Sequence, residues 1–139
     1  MLLGADQPWL WATARVSSGF PDTLGGSLTV HAIPYVDLEG GAAAFNPSWF
    51  VRAGPRYALV DSRDGLMVRV AALFGYKSAT VFSSELTRGF HFAGTLDFTW
   101  WLAAHFGLDL QLSGGGTFDP GRAGRRMLPD LRVGLGVSF

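Results

Sequence analysis

The feature that most constrains this chain is an alternation of apolar and other residues with a period of two, repeated along most of the sequence. It is clearest in the final stretch, LRVGLGVSF, where every second residue is apolar. Because successive side chains of a β-strand point to opposite faces, this spacing predicts strands that each carry one apolar face and one mixed face. No segment shows the competing periodicity of an amphipathic helix.

We predict eight strands, separated by turn residues and joined by connections that alternate between short and longer ones. Their approximate bounds are Trp9–Gly19, Gly26–Ile33, Val36–Ala44, Trp49–Val60, Leu66–Lys77, Phe90–Ala103, Leu108–Thr117 and Leu131–Phe139. A chain of 139 residues is too short for two independent cores. The sequence therefore predicts one all-β domain over residues 1–139, a closed antiparallel up-and-down barrel. We expect a bulge at Pro55, because proline cannot donate to a ladder that is paired on both sides.

Alternation alone does not tell which face lies inside, because a soluble barrel and a transmembrane barrel satisfy the same pattern. Composition favours the transmembrane arrangement, since only 16% of the residues are charged and the mean hydropathy is +0.23. A soluble surface would also carry more lysine than the single Lys77. No run approaches the roughly 18 apolar residues of a membrane helix, so a membrane span would have to use strands.

The mixed faces carry charges of both signs, which can neutralise one another inside a narrow barrel. The predicted interior network consists of Arg15, Asp37, Glu39, Arg52, Arg56, Arg69, Asp97, Asp109 and Arg132. Eight strands leave an interior just wide enough to be filled by side chains, so the sequence predicts a filled lumen and not a wide pore. Ion pairing accounts for these charges better than a proton or small-ion path does.

Aromatic residues gather near the ends of the segments, as expected where rings sit at the two head-group levels of a membrane. The girdle predicted near the short connections consists of Trp9, Trp11, Tyr35, Tyr57, Trp100, Trp101 and Phe139. The longer predicted connections are Phe20–Gly25, Ser78–Gly89 and Phe118–Asp130. Since short turns are periplasmic in such barrels, we expect both termini in the periplasm and the longer connections outside the cell.

The architecture and the closing segment together resemble the small outer-membrane barrels of the OmpA and OmpX kind. Only LRVGLGVSF is motif-like, through its alternating apolar residues and terminal aromatic. The resemblance implies residence in a bacterial outer membrane, and it implies that the barrel-assembly machinery reads this segment as a signal. The residues that would carry the signal are Leu131, Val133, Leu135, Val137 and Phe139.

Candidates for catalysis or metal binding are few, and the sequence predicts no cofactor, no metal site and no enzymatic activity. His31, His91 and His105 fall in different segments, without a carboxylate or second histidine at metal-ligand spacing. Ser83, Ser84 and Ser113 do not lie in a G-x-S-x-G motif, and the run Gly114–Gly116 lacks the Lys-Ser/Thr of a phosphate loop. Cysteine is absent, which removes disulfides and thiolate chemistry.

Four arginines near the predicted outer rim are candidates for contact with lipopolysaccharide phosphates, because guanidinium forks bind phosphate well. They are Arg88, Arg122, Arg125 and Arg126. We expect a structural, anchoring or interaction role through the extracellular loops, with outer-membrane lipids and an envelope protein as partners. Eleven basic and eleven acidic residues cancel, which argues against a nucleic-acid partner.

Two other functions fit the sequence less well. A soluble lipocalin-like barrel would bind an apolar ligand, and an outer-membrane lipid-modifying enzyme would need a histidine and a serine close together. Residues Met1–Gln7 lack the basic and long apolar regions of an export signal. The membrane interpretation therefore expects that the signal has been removed or that the barrel belongs to a longer protein.

Overall fold

A computed structural model describes residues 11–20, 24–33, 35–44, 47–60, 65–81, 85–103, 106–120 and 126–139, with the backbone alone at 32, 33, 80, 81, 85, 86 and 126. These residues form eight strands. The strands are β1 (Trp11–Phe20), β2 (Gly25–Ile33), β3 (Val36–Ala43), β4 (Ser48–Val60), β5 (Leu66–Val81), β6 (Glu85–Ala103), β7 (Phe106–Asp119) and β8 (Arg126–Ser138). The described residues include no helix that is long and apolar enough to cross a membrane.

The strands form a closed antiparallel barrel in which each strand pairs with the next along the chain. Pairing of β1 with β8 closes it, with Val16 opposite Leu135 and Ala14 opposite Val137. Closure pairs the first and last strands, so neither is left as an open edge. The predicted fold class, a closed up-and-down barrel of eight strands, is confirmed.

The apolar face of the strands points outward and the mixed face points inward. Val16, Leu131 and Leu135 are each 64% exposed, whereas Arg15 and Arg52 are buried. This is the reverse of a water-soluble protein, in which large apolar side chains go inside and charged ones remain at the surface. The same inversion describes a barrel whose outer surface contacts hydrocarbon.

Exposed aromatic residues lie near both ends of the outer surface. Those near the connections at 34–35, 61–65 and 104–105 are Tyr35, Tyr57, Trp100, Phe106 and Phe139. Those near the opposite end are Phe20, Trp49, Tyr76 and Phe90. The apolar residues of the closing segment, Leu131, Val133, Leu135, Val137 and Phe139, are likewise outward and exposed.

Two predicted long connections are wrong, because strands continue into them. The β5–β6 ladder runs on through Ser78 opposite Arg88, and the β7–β8 ladder through Phe118 opposite Met127. These extensions lack the clear separation of an apolar face from a mixed face: Ser78 lies on the outward face of β5, and Met127 and Leu128 are apolar on opposite faces of β8. The sequence therefore gives little sign that the strands continue. The connections that remain are 82–84 and 120–125.

The bulge predicted at Pro55 is also wrong. The β4–β5 register is the same at Ala53 opposite Phe74 and at Arg56 opposite Ala71, and the irregularity lies between Ala58 and Val60. Pro55 pairs with Val36, the first residue of β3. Arg56 N–H donates to the Tyr35 carbonyl on the β3 side, so the nitrogen of Pro55 faces β5. The β4–β5 ladder loses one hydrogen bond there and keeps its register, without an extra residue.

Candidate functional site

The barrel interior holds the densest set of charged groups, and Arg15 on β1 is at its centre. Its guanidinium lies 3.2 Å from Glu39 on β3, 2.9 Å from Asp97 on β6 and 2.6 Å from Asp109 on β7. Thr29 accepts a further hydrogen bond from Nη1 at 2.6 Å. A guanidinium carries five N–H donors in a planar fork, so one arginine can connect carboxylates from three different strands.

Two further arginines extend this network along the barrel axis. Arg52 on β4 donates from Nε to Glu39 Oε1 at 2.6 Å, so Glu39 joins Arg15 to Arg52. Arg69 on β5 lies 3.4 Å from both Asp97 and Asp109. Each carboxylate of this group therefore contacts two arginines, which compensates the cost of removing its charge from water.

A second set of hydrogen bonds lies near the start of β1 and the end of β8, and Arg69 links it to the first network through His31 at 3.3 Å. Asp37 accepts from Arg56 and lies 2.7 Å from His31 Nδ1. On the other side of the ring, Nε2 lies 3.0 Å from the Thr13 hydroxyl, which lies 2.7 Å from that of Ser138. A neutral imidazole that donates from Nδ1 to the carboxylate leaves Nε2 to accept from Thr13.

The pairing of His31 with Asp37 was not foreseen from the sequence, where six positions separate them and no motif marks the pair. The order carboxylate, imidazole, hydroxyl is the order of an acyl-transfer triad. Thr13 and His31 are, however, wholly buried. The Thr13 hydroxyl therefore has no contact with solvent in this structure.

Trp11 and Trp101 correct the predicted aromatic girdle, because both lie inside the barrel. Together with Met67 they form a buried apolar cluster, and Trp11 stacks on His31 with ring centroids 4.3 Å apart. Residues an even number of positions apart share one face of a strand. Trp11 therefore shares the inward face of Arg15, and Trp101 shares that of Asp97. Trp9 of the predicted girdle lies outside the described residues.

Towards the opposite end the interior contains an aromatic ring surrounded by cations. The centroid of Phe50 lies 4.8 Å from the guanidinium carbon of Arg52 and 4.3 Å from that of Arg132. Lys77 lies 5.8 Å from the same centroid and pairs with Asp130. Cations over an aromatic face gain electrostatic stabilisation that strengthens where water is excluded.

Lys77 and Asp130 form a buried pair that the sequence reasoning missed. Lys77 shares its face with Arg69, and Asp130 shares its face with Arg132, so parity was the signal that could have found them. All nine residues of the predicted network are buried, and eight of them meet in the ion pairs described above. Arg132 contacts the Phe50 ring.

The described part of the chain contains no group of three histidine and acidic side chains that could hold a metal ion. His91 contacts Arg52 Nη1 at 3.1 Å and Thr117 at 3.2 Å. His105 lies outside the described residues, as do Ser83 and Ser84.

The arginines predicted at the outer rim are only partly described. Arg88 lies on β6 with its side chain exposed, and its backbone N–H donates to Asp119 at 3.3 Å. Arg126 begins β8, so it belongs to a strand and not to the predicted loop. Arg122 and Arg125 lie outside the described residues.

No protein-family model matches this sequence, and no curated protein matches it. The crystal structure of the N-terminal β-barrel domain of Pseudomonas aeruginosa OprF is similar, with 18% identity and a TM-score of 0.69, over 96% of this chain and 97% of that chain. Crystal structures of Ail, the attachment invasion locus protein of Yersinia pestis, match with TM-scores of 0.36 for one and 0.40 for its complex with the heparin analogue sucrose octasulfate. Their identities are 12% and 13%, over 94% of this chain and 95% and 96% of theirs. The resemblance to outer-membrane barrels of the OmpA and OmpX kind is confirmed as a likeness of fold.

Proposed function

We propose that this chain spans a bacterial outer membrane as a barrel with a structural, anchoring or interaction role and no catalytic one. The observation that carries the proposal is the inversion of its surface. Large apolar side chains such as Val16 and Leu135 are exposed, while Arg15, Glu39 and Asp109 are buried against one another. A surface of this composition is stable in contact with lipid and would aggregate in water.

The distribution of aromatic residues supports the membrane location independently. Tyr57 and Trp100 lie near one end of the outer surface, and Trp49 and Phe90 near the other. Such paired bands suit the two head-group levels, with the apolar residues between them in the hydrocarbon. The fold shared with the OprF N-terminal domain is consistent with this arrangement.

The lumen is proposed to be filled and not to form a wide pore. The ion-paired centre lies between an apolar cluster of Trp11, Met67 and Trp101 at one end and the Phe50 ring with its cations at the other. The charged centre also argues against a calyx for an apolar ligand, because such a ligand would need an apolar interior. Conductance in planar bilayers tests the proposal, and a stable large-conductance channel would contradict it.

We propose the orientation from the connections, of which 34–35 and 104–105 are the shortest and 120–125 is the longest. The chain begins β1 and ends β8 at the end of the barrel that carries the connections 34–35, 61–65 and 104–105. We assign this end to the periplasm and the Arg88 end to the outside, where that arginine and its predicted partners Arg122, Arg125 and Arg126 would face lipopolysaccharide phosphates. Protease digestion of whole cells, with a tag placed at 82–84 or at 104–105, distinguishes the two ends.

The membrane proposal is tested by refolding the chain into lipid vesicles and comparing its mobility in SDS gels before and after boiling. A folded membrane barrel should migrate differently until heated and should show β-rich circular dichroism only in detergent or lipid. Val16→Leu and Val16→Arg place an apolar and a charged side chain at the same exposed position, so the first variant is the control for the second. A folded monomer in plain buffer, without a boiling-dependent shift, would exclude the proposal and favour a soluble barrel.

A further inference from the structure

The outward wall of the barrel contains a groove of about 600 Å³ across β5 to β8. Its floor is the pair Gly94 and Gly114, which lie opposite each other on β6 and β7. Leu96, Leu112 and Leu131 stand around them as apolar walls. Most of the outward positions around this floor carry large side chains, so the groove is a depression in the surface that would contact hydrocarbon.

The barrel itself does not need glycine at this floor. A Cβ atom added to Gly94 would have the Gly114 carbonyl oxygen as its nearest neighbour at 4.0 Å, and one added to Gly114 would meet Leu131 Cδ2 at 3.5 Å. By contrast, a Cβ atom on Gly75 would collide with the Val51 carbonyl oxygen. Glycine weakens a strand interior and often marks a place where a ligand approaches the backbone.

Arg88 lies on the same strand and the same outward face as Gly94. Phe90 and Phe92 lie between them on that face, and Arg88 is exposed. Six residues of strand span about 20 Å, which at the usual tilt of such strands corresponds to about 15 Å of depth. That depth is about half the hydrocarbon thickness of a bilayer, so a cation at Arg88 reaches head-group level when the groove lies near the midplane.

We propose that this groove holds an acyl chain of an anionic, phosphate-bearing lipid of the outer leaflet, whose head group is bound by Arg88. The inference rests on the proposed membrane location and adds to it a specific lipid site. The apolar groove matches the chain of such a lipid, and the guanidinium matches its phosphate. One amphiphilic molecule satisfies both features at the spacing that the strand provides.

A second copy of the chain fits this surface less well. In a two-fold dimer the same face meets itself. The described outward positions of β5 to β8 carry no carboxylate, because Asp97, Asp109, Asp119 and Asp130 all point inward. Arg88 would therefore find no acidic partner in an identical face, whereas a lipid phosphate supplies the missing charge.

The test uses the full chain in phosphatidylcholine vesicles that contain a small fraction of phosphatidylglycerol with a diazirine at the end of one acyl chain. After irradiation, mass spectrometry locates the adducts. We expect them to concentrate on β6 and β7 around Leu96 and Leu112, and to be rare around Leu28 on the opposite wall. Gly94→Leu should remove the enrichment, whereas Gly40→Leu, at an outward glycine of β3 that has room for a Cβ atom, should preserve it.

Arg88→Gln separates head-group binding from groove filling and does not disturb the wall. It should lower labelling by the phosphatidylglycerol probe about fivefold, the equivalent of about 1 kcal/mol for one basic residue at an anionic surface. Labelling by a phosphatidylcholine probe with the same chain should fall much less, because the choline cation of that lipid compensates the charge of its phosphate.

Uniform adducts around the barrel, or adducts that avoid the groove, would overturn the lipid site. A boiling-dependent gel shift in the same samples keeps the two proposals distinguishable. If the shift is present and labelling is uniform, only the lipid site fails. If the chain does not insert at all, the membrane location fails with it.

Discussion

The Arg15 guanidinium donates from Nε to Oδ2 of Asp109 over 2.6 Å, although 94 positions separate the two residues in the sequence. The contact joins β1 to β7 across the interior, and both side chains are wholly buried. Neither residue can reach water, so the folded barrel must supply the partners that water supplies in the unfolded chain. The stability of the barrel therefore depends on the pairing of these charges inside it.

Replacing Arg15 by methionine should destabilise the barrel strongly, because it leaves Glu39, Asp97 and Asp109 short of a partner. We expect a loss of about 3–5 kcal/mol in the free energy of unfolding, the usual cost of breaking a buried pair. Urea unfolding of the vesicle-inserted protein measures it. The control is Val16→Met at the next position, where the side chain faces outward and the change should be small. Equal effects at the two positions would contradict the ion-paired interior.

The Lys77–Asp130 pair tests whether the stability of the barrel requires both charges, or only that neither charge is buried without the other. Lys77→Met alone leaves the Asp130 carboxylate buried without its cation and should cost about 3–5 kcal/mol. The double variant Lys77→Met with Asp130→Leu removes both charges and should recover most of that loss, since apolar replacements of buried pairs are often neutral. Unfolding free energies of the four proteins form a double-mutant cycle, and strictly additive effects would refute the coupling.

An arginine on the outer wall should be costly. Val16 lies midway along β1 and is among the most exposed residues, so Val16→Arg should destabilise the inserted barrel by about 2–4 kcal/mol, the cost of such a residue near the bilayer midplane. The same substitution on a water-exposed wall would be nearly neutral. Comparison with Val16→Leu by urea unfolding in vesicles isolates the charge, and an unchanged stability for Val16→Arg would argue against lipid contact.

Adjacent tryptophans on opposite faces should respond differently to lipid. Trp100 is 44% exposed and Trp101 is 5% exposed. In proteins that keep only one of these tryptophans, with the others changed to phenylalanine, brominated acyl chains should quench the fluorescence of Trp100 and spare that of Trp101. The result reports directly on which face meets hydrocarbon, and equal quenching would contradict the inward placement of Trp101.

The sequence by itself determined the features that depend on local periodicity. Alternation with a period of two predicted eight strands. The small fraction of charged residues, their opposite signs and the single lysine predicted that the mixed face lies inside. The parity of a residue along its strand also decides its face, which is how Arg15, Arg52 and Asp97 could be assigned to the interior. The predicted aromatic girdle was wrong at Trp11 and Trp101. They were assigned to it because they lie near the end of a segment, whereas their odd or even position along the strand places them on the inward face.

The tertiary structure alone decided which charges meet. Arg15 reaches carboxylates on β3, β6 and β7, because the narrow, closed barrel brings side chains of strands that are not paired together in its interior. His31 meets Asp37 across the neighbouring strands β2 and β3, next to the pair Val30 and Leu38. Period-two alternation carries no information about stagger, which is set when β1 pairs with β8. The lengths of β5 to β8 were also not predicted. Near the ends of these strands the backbone hydrogen bonds continue, but the residues no longer alternate clearly between an apolar and a mixed face.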